Sequence, residues 1–392
     1  MPSFNVEEYV IKITESDYDI HDSNIKNVDE DGKEYIIKQN LDTTTSVNLP
    51  IAIEDMYMKY PTDYYVSQTP KFNVLYIQQQ QQELELPISS LPALPPAVLP
   101  QSTPFRLPMK YSAKFGSFGV ADRQFTEPSG LVVTAEGDIV VADANNHRIQ
   151  IFDSQCNFKF SFGEPGKRDG QLLYPNRVAI NPKNGDYVIT ERSPTHQVQI
   201  FNRFGSFIRK FGTTILQHPR GVCVDSEGRI IVVECKLMRV CVFSSVGHLL
   251  HQFSALKHLM FPNNICAGPD NQLFICDNRE HCIKVFNYNG EYLRSFGGEG
   301  ITNYPISVSF DYLGRILVAD NNDKFNLTVF DKDGNLVKAF ESKVRHSHCF
   351  DAAIYDGVVV VASKDYKVYY YKYKMGGCRQ PSISVSLPPM PL

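Results

Sequence analysis

The sequence predicts an all-β fold, a six-bladed β-propeller whose N-terminal strand closes the last blade. The first observation is a proline-containing turn that recurs at intervals of 47, 44, 43 and 43 residues. These prolines are Pro128, Pro175, Pro219, Pro262 and Pro305. The second is that four short apolar or alternating stretches follow each turn, which is the strand content of a propeller blade. The third is a phenylalanine that ends the fourth stretch, at Phe115, Phe162, Phe211, Phe253, Phe296 and Phe340.

Within each unit the elements follow a fixed order. An apolar first strand leads from the proline to a turn that contains glycine in most units, as at Gly137 and Gly185. The third strand alternates apolar and polar residues, as in 149–152, and a further turn leads to the fourth. The second strand ends at an acid, which is Asp143, Glu191, Glu234, Asp277 or Asp320.

The two ends of the repeat region are predicted to close the ring. Phe115 precedes the first opening, whereas the sixth opening, near Cys349, has no such strand after it. The strand around 110–116 should therefore complete the blade formed by 349–375. Such a clasp removes the free sheet edges that an open array would expose.

Charge and composition divide the chain into three segments. Residues 1–104 hold 6 Lys and Arg against 16 Asp and Glu, with a glutamine run and a proline-rich end, so an acidic, Gln/Pro-containing disordered arm is predicted. Residues 105–375, with 32 basic and 27 acidic residues, form the predicted propeller. A disordered tail is predicted for 376–392.

Composition also disfavours the membrane and secreted classes. No segment approaches the ~20 apolar residues that span a bilayer, and residues 1–20 carry five acids in place of a secretory signal. The nine cysteines include no C-x-x-C pair, so buried thiols in a reducing compartment are expected instead of a zinc site. We therefore expect a cytoplasmic protein without a membrane partner.

Chain reversal in a four-stranded meander sorts the loops onto two rims. Blade openings, loops between strands two and three, and exits of strand four share the loop rim, whereas the other turns form the turn rim. The turn rim collects 5 basic and 12 acidic residues. Much of the positive charge falls on the loop rim, at Arg123, Lys167, Arg168, Arg177, Arg192, Arg220, Lys236, Lys257, Arg279, Lys343, Arg345 and Lys364. One acidic and one strongly basic face are expected.

Aromatic and amide side chains lie beside these cations on the loop rim. Cations neutralise phosphates, aromatic rings stack unpaired bases, and amides hydrogen-bond base edges. Single-stranded nucleic acid is favoured over duplex, because a flat face offers no helix or ribbon to enter a groove. Each opening aromatic can equally be a wedge between blades. The residues are Tyr174, Phe261, Tyr304, His218, Asn145, Asn146, Asn264 and Asn278.

The acids that end the second strands have two interpretations. They could form a metal or catalytic site, as in a propeller hydrolase or lyase with a channel metal. Because they recur at one repeat position, capping of backbone N–H groups is favoured. No catalytic residue, metal site or cofactor is predicted, and the protein is not expected to be an enzyme.

Segments 141–152 and 318–322, with the proline openings and Phe-Gly strand ends, resemble NHL repeats. The resemblance extends into loops that blade folding does not dictate, such as 172–178, 190–197 and 297–305. There the chain is similar to translational repressors of the TRIM-NHL family, whose propeller is an NHL domain.

The resemblance implies sequence-selective binding of short U-rich single-stranded RNA in messenger 3′ untranslated regions, and repression of the bound message. Topology alone places nine of the ten implied contact residues on the loop rim, and Cys235 comes from the resemblance alone. Pumilio- and Nanos-type proteins and a cap-binding protein are implied as partners. The contact residues would be Asn145, Tyr174, Arg192, Arg220, Cys235, Lys236, Phe261, Asn278, Arg279 and Tyr304.

The chain departs from the family pattern ahead of the propeller. Family members usually carry B-box zinc modules and a coiled coil there, and many carry a RING finger. Here no cysteine precedes Cys156, and His21 is the one histidine before the propeller, so zinc modules are not expected. The alternative function is a scaffold for protein–protein interaction, including a TRIM-type ubiquitin-ligase adaptor.

Overall fold

A computed structural model describes the backbone of two short N-terminal segments and residues 103–322, 324–355 and 357–375. The short segments, β1 (Ile25–Val28) and β2 (Glu34–Ile37), form an antiparallel pair in a separate unit, Met1–Ser90. This pair was not expected from the sequence. The tail 376–392 and most of the predicted arm lie outside the described residues, so their disorder stays a prediction.

The regular secondary structure in the described part of the second unit is almost entirely strand. Two strands lead into the first blade, β3 (Arg106–Pro108) and β4 (Lys110–Phe115). A 3₁₀ turn, Ala144–Asn146, joins the middle strands of blade one. Blade one consists of β5 (Pro128–Val133), β6 (Ile139–Asp143), β7 (Arg148–Phe152) and β8 (Phe158–Phe162). Blade two consists of β9 (Pro175–Ile180), β10 (Tyr187–Glu191), β11 (Val198–Phe201) and β12 (Phe207–Phe211). Blade three consists of β13 (Pro219–Val224), β14 (Ile230–Glu234), β15 (Arg239–Phe243) and β16 (Leu249–Ser254).

The remaining blades repeat the pattern, except that the sixth contributes three strands of its own. Blade four consists of β17 (Pro262–Gly268), β18 (Gln272–Asp277), β19 (Cys282–Asn287) and β20 (Tyr292–Gly297). Blade five consists of β21 (Pro305–Phe310), β22 (Ile316–Asn322), β23 (Lys324–Phe330) and β24 (Leu336–Glu341). Blade six contributes β25 (Cys349–Tyr355), β26 (Val358–Ser363) and β27 (Lys367–Lys372).

The strands pair as six sheets within 103–375, with the four strands of each blade antiparallel, which confirms the predicted six-bladed propeller. Each predicted phenylalanine lies opposite an apolar residue near the start of a third strand. The pairs are Phe115–Val368, Phe162–Ile149, Phe211–Val198, Phe253–Val240, Phe296–Ile283 and Phe340–Leu327.

A β-bulge follows the first residue of the first strand in every blade. In blade one, Pro128 lies opposite Asp143 and Gly130 opposite Ala142, so Ser129 is the extra residue. A bulge bends the strand and redirects a side chain, and it accommodates a proline that cannot donate a ladder hydrogen bond. The equivalent residues are Asn176, Arg220, Asn263, Ile306 and Phe350.

The first strand of each blade lies innermost and contacts the first strands of both neighbours. β5, for example, contacts β9 and β25. An apolar cluster of buried side chains fills each junction between neighbouring blades of the described ring. Since a blade can bury its apolar faces only against its neighbours, the ring must close to be stable.

The N-terminal segment performs this closure. β4 pairs antiparallel with β27, as predicted. β3 continues onto the neighbouring blade and runs parallel to β24, which was not predicted. The guanidinium of Arg106 donates to the carbonyl of Ile301 at 2.6 Å and to Oγ1 of Thr328 at 3.2 Å. The segment therefore fastens blades five and six together.

Four of the fourth-strand phenylalanines also pack against a glycine of the next blade. At Gly247, with φ of 88°, an added Cβ would lie 2.5 Å from the ring of Phe211. Glycine is therefore required there for both its backbone conformation and its size. The equivalent pairs are Gly205–Phe162, Gly290–Phe253 and Gly334–Phe296.

We predict that Gly247→Ala lowers the free energy of unfolding by about 2–4 kcal/mol, because overpacking adds to the left-handed backbone cost. Gly314 is the matched control, since its φ is 73° and an added Cβ meets nothing within 4 Å. Gly314→Ala should carry only the backbone cost of about 1–2 kcal/mol. Urea unfolding measures both variants. Equal losses of stability in the two variants would contradict a tight packing of the Phe211 ring against Gly247.

Candidate nucleic-acid interface

One backbone hydrogen bond in each blade holds the loop rim together. In blade two, the N–H of Arg192, just after the second strand, donates to the carbonyl of Tyr174, just before the first strand, at 3.2 Å. The blade openings and the loops between strands two and three therefore lie side by side on one rim. The equivalent pairs are Ala144–Glu127, Cys235–His218, Asn278–Phe261, Asn321–Asn303 and Lys364–His348.

Nine of the ten predicted contact residues belong to these two classes of loop, and the tenth, Arg220, is the second residue of β13. Asn145, Lys236 and Arg279 are exposed, whereas Cys235 is buried at 9% exposure. The half-buried members are Tyr174, Arg192, Arg220, Phe261, Asn278 and Tyr304. The structure thus brings the set together on the loop rim, and their contact with RNA stays a prediction.

Arg192 is held in place by two neighbours. Its Nε donates to Oδ1 of Asn176 at 3.1 Å, and its Nη1 pairs with the carboxylate of Glu127 at 2.6 Å. Asn176 is a bulged residue, and its Nδ2 donates to the carbonyls of Pro219 and Arg220 at 3.4 and 3.3 Å. The Arg192 guanidinium is therefore oriented before any ligand binds.

Arg220 is itself a bulged residue and is held in a similar way. Its Nε donates to Oδ1 of Asn263 at 3.1 Å, and its guanidinium carbon lies 4.8 Å from the ring centroid of Phe261. This distance is typical of a cation–π contact. The sequence identified both arginines but missed Asn176 and Asn263, although both follow an opening proline.

Two opening tyrosines are fastened to the preceding blade by histidines. The N–H of Tyr174 donates to Nδ1 of His147 at 3.1 Å, and the rings meet edge to face at 4.6 Å. Tyr304 and His281 repeat this arrangement at 3.2 and 4.3 Å. Burial lowers the pKa of both histidines, which favours the neutral ring that can accept this bond. Both tyrosines therefore link neighbouring blades. Their rings are half-exposed, and stacking of an RNA base on them stays a prediction.

The assignment of Arg177 to the basic rim is wrong, because the residue is 5% exposed in the central channel. The preceding bulge shifts the alternation of the strand and turns this side chain inward. Its Nη1 donates to the carbonyl of Ser129, and its Nη2 to the carbonyl of Phe350 at 3.0 Å and to Asn263 at 3.2 Å. Its Nε lies 3.6 Å from the carboxylate of Asp351.

This arginine therefore joins four blades across the channel. Asp351 accepts the N–H of Leu131 at 2.9 Å and faces Asn264 at 3.4 Å. Burial raises the pKa of Asp351, and the facing guanidinium of Arg177 limits that rise. A buried pair of this kind contributes mainly through the large cost of leaving either charge alone.

The acids that end the second strands cap backbone N–H groups, as predicted. Asp277 accepts from Met260 at 2.7 Å and from Phe261 at 3.0 Å. Asp143 and Glu234 cap the openings of blades one and three in the same way. Glu191 and Asp320 also bond to the backbone of the segment before the opening. All five are fully buried, so they organise the rim from beneath.

Local turn chemistry accounts for part of the acidity of the turn rim. Asp225 accepts the N–H groups of Glu227 and Arg229 at 3.0 and 2.9 Å. Aspartate at this position is preferred because its carboxylate closes the turn on itself. Asp153, Asp311 and Asp331 repeat the pattern.

The described cysteines are free thiols, and all but Cys266 are buried, in agreement with the prediction. Burial raises the pKa of Cys241 and of Cys266 to about 12. In the described part of the chain no three His, Cys, Asp or Glu side chains are grouped so that they could hold a metal ion. No helix there is long and apolar enough to cross a membrane.

Sequence comparison supports the resemblance to NHL repeats. The NHL repeat signature matches residues 125–152, 216–243 and 259–286. The chain is 62% identical to the Drosophila melanogaster protein brain tumor over 70% of this chain and 26% of that protein. It is 60% identical to the Caenorhabditis elegans B-box type zinc finger protein ncl-1 over 72% of this chain and 33% of that protein. Mus musculus NHL-repeat-containing protein 4 is 32% identical over 28% of this chain and 79% of that protein.

We predict that Arg177→Met lowers the free energy of unfolding by about 3–5 kcal/mol, because it leaves Asp351 buried without its partner. The double variant Arg177→Met/Asp351→Asn should be at least about 1 kcal/mol more stable than the single variant, since it removes the unpaired charge. Urea unfolding at neutral pH measures both. The single variant Asp351→Asn is measured in the same way. If the loss in the double variant equals the sum of the losses in the two single variants, the ion pair does not couple these residues.

Proposed function

Since this chain belongs to the NHL-repeat family and its propeller is of the Brain tumor type, we propose that it binds short, uridine-rich single-stranded RNA on the loop rim and represses the bound messenger RNA. The chain spans 26% and 33% of the length of the fly and nematode relatives, so the proposal is built on the propeller.

The observation that carries the proposal is the grouping of cations and aromatic rings on one rim of three successive blades. Tyr174 and Arg192 belong to blade two, Arg220 to blade three, and Phe261 and Arg279 to blade four. Cations bind phosphates, and rings stack unpaired bases whatever their identity. Single-stranded RNA can use both at once, because its bases are free to leave the stack.

Pre-orientation of the two arginines supports selectivity beyond simple charge attraction. The guanidinium planes of Arg192 and Arg220 are fixed by Asn176 and Asn263 through hydrogen bonds of 3.1 Å each. A fixed planar guanidinium can stack on a base or form paired hydrogen bonds with it, whereas a mobile lysine acts as a point charge. These arginines are therefore proposed to recognise bases, and Lys236 to attract phosphate.

The remaining parts of the proposal come from the family. We propose that the protein acts in the cytoplasm, without catalysis, together with Pumilio- and Nanos-type proteins and a cap-binding protein. The absence of a catalytic role is supported by the second-strand acids, because their carboxylates are engaged as backbone caps. The alternative of a protein-binding scaffold is separated from this proposal by the experiment below.

We predict that Arg192→Ala and Arg220→Ala each weaken binding of oligouridine by about 10- to 100-fold, which is the usual loss for one charge-assisted contact. The matched control is Arg203→Ala on the turn rim, where Arg203 pairs with Glu136 at 3.2 Å. Its affinity should equal that of the unmodified protein. Fluorescence anisotropy measures the dissociation constants, and thermal unfolding verifies that each variant is folded.

The salt dependence supplies a second readout. Affinity should fall with a slope of about −0.7 per neutralised phosphate on a double-logarithmic plot. Unchanged oligouridine affinity in both rim variants would contradict the proposal and favour the protein-binding scaffold.

A further inference from the structure

An exposed pair of aromatic rings lies on the loop rim at blade six, outside the predicted contact set. Phe118 is 66% exposed and Tyr366 is 36% exposed. Their ring centroids are 4.9 Å apart in an edge-to-face arrangement. Phe118 belongs to the connection from β4 to β5, and Tyr366 to the loop between β26 and β27. Exposed aromatic surface of this kind is typical of binding sites.

The loop that carries Phe118 is held firmly by blade one. The Nη2 of Arg148 donates to the carbonyls of Ala121 and Gln124 at 2.8 and 2.9 Å. Nδ2 of Asn146 donates to the carbonyl of Gly119 at 3.0 Å. The aromatic ring is therefore exposed on an ordered loop, so a ligand would not have to order that loop on binding.

Positive charge lies on the connecting loops of the same sector. Four cations on the connecting loops of this sector are exposed, and in the described ranges none of them has an ion-pair partner. The nearby acid Asp365 is already engaged by Tyr369 at 2.6 Å and Lys367 at 3.5 Å. The four cations are Arg123, Lys343, Arg345 and Lys364.

The blade-six sector also lies between the two ends of the predicted contact set. That set begins at Asn145 in blade one and ends at Tyr304, which opens blade five. In a ring of six blades, the remaining part of the loop rim belongs to the end of blade five, to blade six and to the opening of blade one. The hydrogen bond between Asn146 and Gly119 joins this sector directly to the neighbour of Asn145.

We infer that the blade-six sector, defined by Phe118, Tyr366 and the four cations, is a second stacking site for unpaired nucleotides. It extends a bound single strand beyond the predicted contact set. This inference rests on the RNA binding proposed above. Two rings supply far less apolar area than a stable protein interface requires, whereas one base stacked on each ring is sufficient for a nucleotide site.

The experiment compares a short oligouridine of about 8 nucleotides with a long one of about 16 nucleotides on the full chain. Phe118→Ala should weaken binding of the long RNA by about fivefold or more and leave the short RNA unaffected. The matched control is Phe204→Ala, since Phe204 is 77% exposed on the turn rim. It should change neither affinity.

A second part of the experiment removes positive charge from the blade-six sector. The triple variant Lys343→Ala/Arg345→Ala/Lys364→Ala should reduce the salt slope of the long RNA by about 0.7 for each lost phosphate contact, without changing that of the short RNA. Photocrosslinking of a 5-iodouridine placed near the end of the long RNA should label Phe118 or Tyr366.

The outcomes separate this inference from the proposed function. If Phe118→Ala leaves the long RNA unaffected while Arg192→Ala weakens both RNAs, the second site is wrong and the proposed function stands; a protein-binding sector would give this result. If Phe118→Ala weakens both RNAs equally, the site is not separate, and the inference is also wrong. If Arg192→Ala and Arg220→Ala change neither affinity, the proposed function fails first.

Discussion

Closure of the ring is the constraint on which the rest of this structure depends. Each blade is a thin sheet whose two apolar faces are covered only by the blades on either side. A ring with one junction open would expose two such faces and the edges beside them. The N-terminal segment removes that cost twice, because β4 completes blade six and β3 adds to blade five. Arg106 and the Arg177–Asp351 pair then connect blades that are distant in sequence.

A closed ring also fixes which loops can act together. Every blade begins with the same bulge, so the residue after the opening is redirected at the same height on all six blades. Asn176 and Asn263 use this position to orient an arginine, whereas Arg220 occupies it directly. The repeated backbone geometry thus supplies equivalent positions, and the side chains placed on them differ from blade to blade. Function can therefore vary on the loop rim without disturbing the apolar junctions.

Most of the fold could be predicted because the same residue types recur at the same position of each blade. The opening prolines, turn glycines and fourth-strand phenylalanines mark each blade, and the unmatched Phe115 reveals the closing strand. The bulges could not be predicted, since a register shift depends on the partner strand as much as on the sequence. Arg177 was misplaced for that reason, and β3 was missed because a three-residue parallel pairing has no pattern of its own. For the candidate site, rim membership followed from topology, whereas Asn176 and Asn263 needed the contacts between blades.

For the RNA binding proposed above, the geometry of Arg192 favours recognition at short range over long-range attraction. Its guanidinium pairs with Glu127 at 2.6 Å in the free protein, so it adds little long-range attraction for phosphate. The hydrogen bond from Nε to Asn176 does not involve the Nη1 atom that pairs with Glu127, and it holds the plane of the guanidinium. Under the RNA binding proposed above, Arg192 would therefore discriminate between bases at short range, and exposed cations such as Lys236 and Arg279 would attract the strand. The proposed arrangement would separate affinity from selectivity on one surface, because the oriented guanidinium of Arg192 and the exposed cations lie on the same rim.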